Sequence, residues 1–390
     1  MLKHPLKGPQ LRTPIADPAA HSASGSNANQ TTNKVMAEAP EQFEARKADH
    51  IRLSLDPKTQ TTGLSGLDQI ELEHEAFPEL NFAELDIATQ LFGQPTKPIF
   101  ISSMTAGHAG SMDLNRTMAR VAEKRNWVMG VGSQRRQLTD RQSDLEWKEI
   151  RKACPRVRFF GNIGLAQLIL TPSHEVRRLA DSLEAEAMFV HANPLQECLQ
   201  PEGTPEMKGG YQALERLVNE LGLPVIVKEV GTGFSKRTLS RLKDLGVAAV
   251  DVSGVGGTHW GRIEGGRSLA GSRLSMVADT FANWGVSTVD SLLNAVSVEP
   301  QYQVWASGGV RSGLDVAKLL AIGARMVGMA KPIIEAVMSL DENSKHDSAR
   351  AEEALDQAME RFEFELMTAM FCTGSRTVDE LRNKKVWSRR

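Results

Sequence analysis

The stretch Val190-His191-Ala192-Asn193-Pro194-Leu195-Gln196-Glu197, continuing to Gln200-Pro201-Glu202-Gly203, sets an imidazole, two carboxamides and a carboxylate within seven residues. It follows Ala187-Met188-Phe189-Val190, a short apolar run of the kind that makes a buried strand. A core strand has no use for such polarity, because each buried polar group must find a partner or cost free energy. A loop at a strand end can use it to hold a polar ligand and a cation. The same residues would also suit a turn whose Asn and Gln bond only to backbone.

Composition removes several classes of partner. With 41% hydrophobic and 24% charged residues the chain is ordinary for a soluble globular protein. A formal net charge of −2 gives no footing for nucleic acid or a membrane surface. No apolar run reaches the length of a bilayer span. Cys154, Cys198 and Cys372 are far apart and form no CxxC or metal spacing, which points to a reduced, cytoplasmic setting.

The elements that must position the polar stretch form a regular beat. Residues 1–40 read as a disordered tail, because His21 to Asn33 is polar, small and without apolar period. Order is expected from Glu41, with a short helix over Gln42–Ile51 whose Arg46, Lys47, Asp49 and His50 read as a solvated face. From Pro98 onward come eight short apolar runs: Pro98–Ser102, Trp127–Val131, Val157–Gly161, Ala187–Val190, Pro224–Lys228, Ala248–Val252, Gln303–Ser307 and Arg325–Met329. Amphipathic patterns at Asp113–Arg125, Ser235–Leu245 and Gly313–Ile322 fall between them. Such alternation predicts a parallel sheet covered by helices, and eight units fit a (β/α)₈ TIM barrel over residues 41–340. A doubly wound sheet would want a GxGxxG turn after its first strand, and Ser102-Ser103-Met104-Thr105-Ala106-Gly107 is not one. Ser253 to Gly261 reads as a mobile glycine-rich loop followed by a helix or two. Residues 341–390 read as a C-terminal helical extension, with a helical pattern from Ala349 to Leu381.

In such a barrel the ligand face lies where strands end. The residues there are Ser103-Met104-Thr105, Ser133-Gln134-Arg135, Asn162, then His191 with Asn193, Gln196 and Glu197, Lys228-Glu229, Ser253 with Thr258, Gly308-Gly309-Val310-Arg311, and Ala330-Lys331. Their convergence on one rim favours a site over a set of unrelated turns. Glycine amides and helix starts after strands seven and eight make a phosphate site, and with Lys228 at the end of strand five they favour flavin mononucleotide. Glu197 suits Mg²⁺, which takes one protein carboxylate alongside water and ligand phosphate oxygens. Arg46, Lys47 and Arg135 are cationic partners for a diphosphate, leaving His191 and Gln196 for the organic part of the substrate. Residue types alone leave open that His191 is a wall residue and Glu197 a salt-bridge partner.

From Arg46 to Lys331 the chain resembles the type 2, FMN-dependent isopentenyl-diphosphate isomerases. The resemblance rests on Arg46-Lys47-Ala48-Asp49-His50, Ser102-Ser103-Met104-Thr105, Val131-Gly132-Ser133-Gln134-Arg135 and Asn162-Ile163-Gly164. It continues through Asn193-Pro194-Leu195-Gln196-Glu197 with Gln200-Pro201-Glu202-Gly203, Val227-Lys228-Glu229-Val230-Gly231, Gly256-Gly257-Thr258, and Ala306-Ser307-Gly308-Gly309 with Arg311 and Gly313. It implies substrate contacts from Arg46, Lys47, His50, Ser133, Gln134, Arg135, His191, Asn193 and Gln196, with Gln196, His191 and Glu197 nearest the chemistry and Glu197 on Mg²⁺. It implies FMN contacts from Met104, Thr105, Ala106, Ser133, Asn162, Lys228, Ser253, Thr258, Gly308, Gly309, Arg311, Ala330 and Lys331. The implied reaction interconverts isopentenyl and dimethylallyl diphosphate on reduced FMN, with NAD(P)H as the flavin's reductant and a homo-oligomer (tetramer or octamer) as the assembly.

Three positions depart from the family pattern: Ala106 for a glycine, Ala192 for a leucine, and Thr204 for an aspartate after Pro-Glu-Gly. The last matters most, since it removes a carboxylate near the expected cation. Two other activities compete for the same barrel. An FMN-dependent 2-hydroxy-acid oxidase would carry histidine where Ser307 stands, and a non-catalytic flavin-binding barrel would explain the altered motifs.

Overall fold

A computed structural model describes residues 40–105 and 111–390. All eight expected strands are present: β1 (Ile99–Ile101), β2 (Val128–Gly130), β3 (Arg158–Gly164), β4 (Ala187–Ala192), β5 (Val225–Glu229), β6 (Ala249–Asp251), β7 (Gln303–Ala306) and β8 (Met326–Met329). They pair in parallel in chain order, and β8 closes on β1 with Val327 opposite Ile99 and Gly328 opposite Phe100. The barrel expectation therefore holds. The expected tail lies outside the described residues, apart from Pro40 at a helix start.

Strand side chains alternate in direction, so both faces of each strand must be apolar when helices cover the outside. Outward residues such as Ile101, Met129, Ile163, Val190, Val227 and Val304 pack against the helices. Inward residues Phe100, Phe160, Phe189, Ile226 and Trp305 fill the barrel itself. The antiparallel hairpin Thr89–Leu91/Gln94–Thr96 plugs its lower mouth. Leu91 is fully buried there, and the Phe92 ring lies 6.2 Å from Phe160 and 6.3 Å from Trp305.

The helices that matter for the site are α1 (Pro40–Leu55), α2 (Met112–Arg125), α3 (Asp144–Ala153), α4 (Pro194–Leu199), α5 (Trp260–Arg267), α6 (Gly313–Ile322), α7 (Lys331–Met338) and α8 (Ser348–Cys372). Helix α6 occupies the bounds read from the sequence, with Ser312 as its N-cap. The long α8 packs between α2 and α6 and so serves as a ring helix of the barrel. The helical pattern read through to Leu381 breaks after Cys372, a short helix Val378–Asn383 follows, and Trp387–Arg389 pairs as a strand with Ile70–Leu72. Between β6 and β7 stand three helices, Trp260–Arg267, Arg273–Thr280 and Thr288–Ser297, not one or two. Among the described residues no helix is long and apolar enough to cross a membrane.

The loop after β5 is fixed by one carboxylate. Glu229 Oε2 accepts the backbone amides of Val230 (2.7 Å), Gly231 (2.8 Å), Thr232 (2.6 Å) and Gly233 (3.2 Å), and Oε1 accepts the Thr232 hydroxyl at 2.8 Å. Replacing Glu229 by leucine strands these donors in a buried place. The expected loss is about 3 kcal/mol or more of stability, read from urea unfolding.

Candidate active site

The strand ends surround one cavity of about 960 Å³, at the upper limit for ligand pockets. Its floor and walls take Met104 and Thr105 from β1, Ser133 and Arg135 after β2, Asn162 from β3, His191 from β4 and Lys228 from β5. Ser253 and Thr258 come from the loop after β6, Gly308, Gly309 and Arg311 from after β7, and Ala330 and Lys331 from the start of α7. Gln196 and Glu197 enter on α4, and Arg46, Lys47 and His50 enter on α1. Ala106 lies outside the described residues.

Two residues expected to touch substrate do not line this cavity. Gln134 is buried: its Nε2 donates to Leu179 O at 3.0 Å and its Oε1 accepts from Asn162 N at 2.9 Å. Asn193 is the N-cap of α4, its Oδ1 accepting from Gln196 N at 2.8 Å. Both are scaffold: one sets Asn162, the other aims the helix that carries Gln196 and Glu197. The solvated-face expectation for α1 also fails, because Arg46 and His50 are buried under α5, where the Trp260 ring meets His50 edge-on at 5.0 Å.

His191 has a defined tautomer. Asn162 Nδ2 donates to Val131 O at 3.1 Å, so Asn162 Oδ1 faces His191 Nδ1, 2.8 Å away, as an acceptor. The proton therefore sits on Nδ1 and the Nε2 lone pair remains for a ligand. Burial, with the positive charges of Lys228 and Lys47, pushes the His191 pKa down to about 3. Lys228, also buried, donates to Glu229 O at 2.7 Å and stands 4.0 Å from Asp251. Asp251 in turn accepts from the Ser307 hydroxyl at 2.8 Å.

A residue not singled out in the sequence ties the opposite wall together. Glu264, fully buried on α5, accepts from Gln196 Nε2 at 3.1 Å and from Arg267 at 2.5 Å, and lies 3.1 Å from His50 Nε2. Burial opposes its ionised form, and the hydrogen bonds and charges of His50 and Arg267 overcome that penalty. The signal was slight: a glutamate in Gly-Arg-Ile-Glu-Gly-Gly-Arg, a stretch with no apolar period.

Glu197 Oε2 accepts from the backbone amide of Thr204 at 2.6 Å. This contact does not use the Thr204 side chain, so the departure from aspartate leaves it intact. Burial raises the Glu197 pKa against the pull of that amide and of Arg135, and a cation would restore the charged form. Among the described residues no cluster of three metal-ligating side chains exists.

The residues suit a phosphorylated cofactor on the far side. Gly308 and Gly309 have φ of 98° and 75°, and a Cβ on Gly308 would stand 2.3 Å from Gly254 O. Bare backbone therefore lines this part of the cavity. Ser102 and Ser103 border the same cavity, and their hydroxyls, which have no hydrogen-bond partner, are buried beside Gly328 and Gly130. The glycine-rich loop expected to be mobile is pinned: Thr61 N donates to Gly257 O at 2.8 Å, Gly256 N to Thr61 Oγ1 at 2.9 Å and His259 N to Thr59 O at 2.9 Å. Arg311 sits at the rim, held by Asp315 (2.8 Å) and Asp68 (2.7 Å), and Lys331 pairs with Glu335.

Residues 142–388 match the family model described as FMN-dependent dehydrogenase. An isopentenyl-diphosphate delta-isomerase of Bdellovibrio bacteriovorus is 54% identical over 356 residues, covering 90% of this chain and 99% of that protein. The chain belongs to the type 2, FMN-dependent isopentenyl-diphosphate delta-isomerase family. Other members include proteins of Legionella pneumophila (strain Corby; 52% identical, 88% of this chain and 97% of that one) and Halobacterium salinarum (39% identical, 87% and 92%). Among solved structures, a mandelate oxidase with (S)-2-phenylpropionate superposes with a TM-score of 0.59 at 18% identity, over 90% of this chain and 98% of that one. A lactate oxidase of Pediococcus acidilactici gives 0.58 at 18% identity, over 88% and 92%. These two establish the shared barrel and nothing further.

The His191 geometry has a consequence for acid stability. Below about pH 6.5 the unfolded chain takes up a proton that the folded state refuses until near pH 3. This contribution is whole at neutral pH and declines as pH falls. From pH 7 to 5 the wild type should lose about 2 kcal/mol more than a His191→Gln variant, measured by urea unfolding at both pH values.

Proposed function

We propose that this protein interconverts isopentenyl diphosphate and dimethylallyl diphosphate, with reduced FMN as its acid–base cofactor and Mg²⁺ on the diphosphate. The observation that carries the reading is the shared cavity: a cationic and carboxylate wall from α1 and α4 faces the glycine-lined wall after β6 and β7.

FMN would be held at its phosphate by Gly308, Gly309, Arg311, Ala330 and Lys331. Around the rest of the cofactor would stand Met104, Thr105, Ser133, Asn162, Lys228, Ser253 and Thr258. When bound and reduced, it supplies the acid and base that an unactivated alkene requires. NAD(P)H enters only to reduce it and is not consumed in each turnover. The protein's own side chains bind and orient. Arg46, Lys47 and Arg135 neutralise the diphosphate beside Ser133, His50 backs them from α1, and Glu197 offers the carboxylate for Mg²⁺. His191, neutral and with its Nε2 lone pair available, lies beside the hydrocarbon without adding charge there. Gln196 is held through its Nε2 by Glu264, which leaves Oε1 to order a water or accept a proton in transit.

The oxidase alternative is disfavoured by one detail. Ser307, which stands where that activity would want histidine, is buried and spends its hydroxyl on Asp251. A homo-oligomer in a reduced, cytoplasmic setting completes the proposal; the exposed large apolar residues Leu269, Met276 and Trp284 support the assembly, and the free Cys154, Cys198 and Cys372 the setting.

In heavy water, with FMN reduced and Mg²⁺ supplied, isopentenyl diphosphate should acquire deuterium and yield the allylic isomer; without reductant neither should occur. Gln196→Leu should lower kcat by about 10²-fold or more with KM little changed. A protein that binds FMN and yields no allylic product under these conditions is a barrel without this chemistry. Peroxide release with lactate or glycolate would move it to the oxidases.

A further inference from the structure

Behind the wall that carries Thr105 lies a buried polar chain that the reaction scheme does not use. The Thr105 hydroxyl, in the loop that follows β1, donates to Asn115 Oδ1 on α2. Asn115 Nδ2 donates to Glu146 Oε1 on α3 at 3.0 Å and lies 3.5 Å from Ser111 Oγ. Asn115 is fully buried and Glu146 nearly so, at the packing of α2 on α3. Two leucines there would escape the cost of taking polar groups out of water, so packing alone does not account for the pair.

The direction of these hydrogen bonds follows from the donor inventory. Burial raises the Glu146 pKa, against the pull of the Asn115 amide and of Arg136, and the carboxyl oxygen Oε1 accepts from the Asn115 NH₂, which is turned toward it. That leaves its carbonyl oxygen toward Thr105. A carbonyl can only accept, so the single hydroxyl proton of Thr105 points away from the cavity. Thr105 borders the cavity, and with its proton committed to Asn115 its hydroxyl has lone pairs alone left for a ligand.

We propose that Asn115 and Glu146 are positioning residues that hold Thr105 as a hydrogen-bond acceptor toward the flavin, biasing the site toward the reduced ring. The inference rests on the FMN reading above and adds to it a redox preference set two residues deep behind the wall. A reduced isoalloxazine carries an N–H at N5, where the oxidised ring has a lone pair. Against an oxygen that can only accept, the reduced ring gains a hydrogen bond, and the oxidised ring meets lone pair with lone pair. A hydroxyl free to rotate would serve both forms equally.

Glu146→Gln tests this, because a carboxamide can either give or take a proton and so frees the Asn115 amide to turn over. The affinities for oxidised and reduced FMN are measured on the purified full chain, together with the midpoint potential of the bound flavin. Wild type should favour reduced FMN. In Glu146→Gln the reduced-to-oxidised affinity ratio should fall about tenfold, which for a two-electron couple is ~30 mV more negative. The double variant Asn115→Leu with Glu146→Leu, which keeps an apolar packing, should show the same shift. In a Thr105→Val background, Glu146→Gln should add nothing.

A ratio within twofold of wild type in both Glu146→Gln and the leucine pair overturns the proposal. So does a shift that persists undiminished when Thr105 is valine, since the pair would then act on the fold and not through that hydroxyl. Wild-type protein that binds FMN in neither redox state overturns the cofactor reading itself, an outcome visible before any variant is made.

Discussion

The arrangement depends on backbone meeting backbone without side chains between. The loop after β6, the turn after β7 and the segment around Thr61 lie so close that a Cβ on Gly256 would stand 2.3 Å from the Ser65 side chain. One on Gly309 would stand 2.5 Å from Gly256 C. This three-layer contact brings bare amides to one side of the cavity and ties residues 59–65 over it. Those residues in turn anchor α1, so the basic residues of a distant N-terminal helix reach the same space as strand ends some two hundred positions later. A single added methyl group would push apart a glycine wall and a substrate wall at once.

Electrostatics divides the cavity into a part that must stay charged and a part that must not. Glu264 is kept ionised by Arg267, and Glu202 is bonded to the same guanidinium at 3.1 Å. His191 is kept neutral by burial among lysines. A hydrocarbon chain next to a diphosphate needs this separation, since a charged imidazole would compete for the anion and pull the ligand out of register.

The barrel was legible because buried parallel strands leave a clear trace: short, mostly apolar runs, interrupted only by single residues such as Arg158 and Asp251. The rim was legible for the same reason, as polarity resumes where the strand stops. What could not be read was direction within the rim. Gln134 and Asn193 are uncharged polar residues like their neighbours Ser133 and Gln196, yet one turns inward to support Asn162 and the other spends its oxygen on a helix cap. A local pattern gives no sign of which way a loop side chain points. The solvated-face reading of Arg46 and His50 fails because a charged helix face usually meets water, and only the packing of α5 puts it under cover. Glu264 was missed because it lies on a short, glycine-rich helix whose sequence lacks period. The Thr204 departure leaves the contact to Glu197 untouched, because that contact runs through the main chain, while the carboxylate of an aspartate is absent from this position.

The hairpin at Thr89–Thr96 makes the cavity a blind well. With Leu91 and Phe92 sealing the bottom, traffic in both directions uses one mouth. A ligand seated deep must arrive first and leave last, and a shallower one can come and go above it. Whatever the cavity holds must therefore enter and leave past the same ring of strand-end loops.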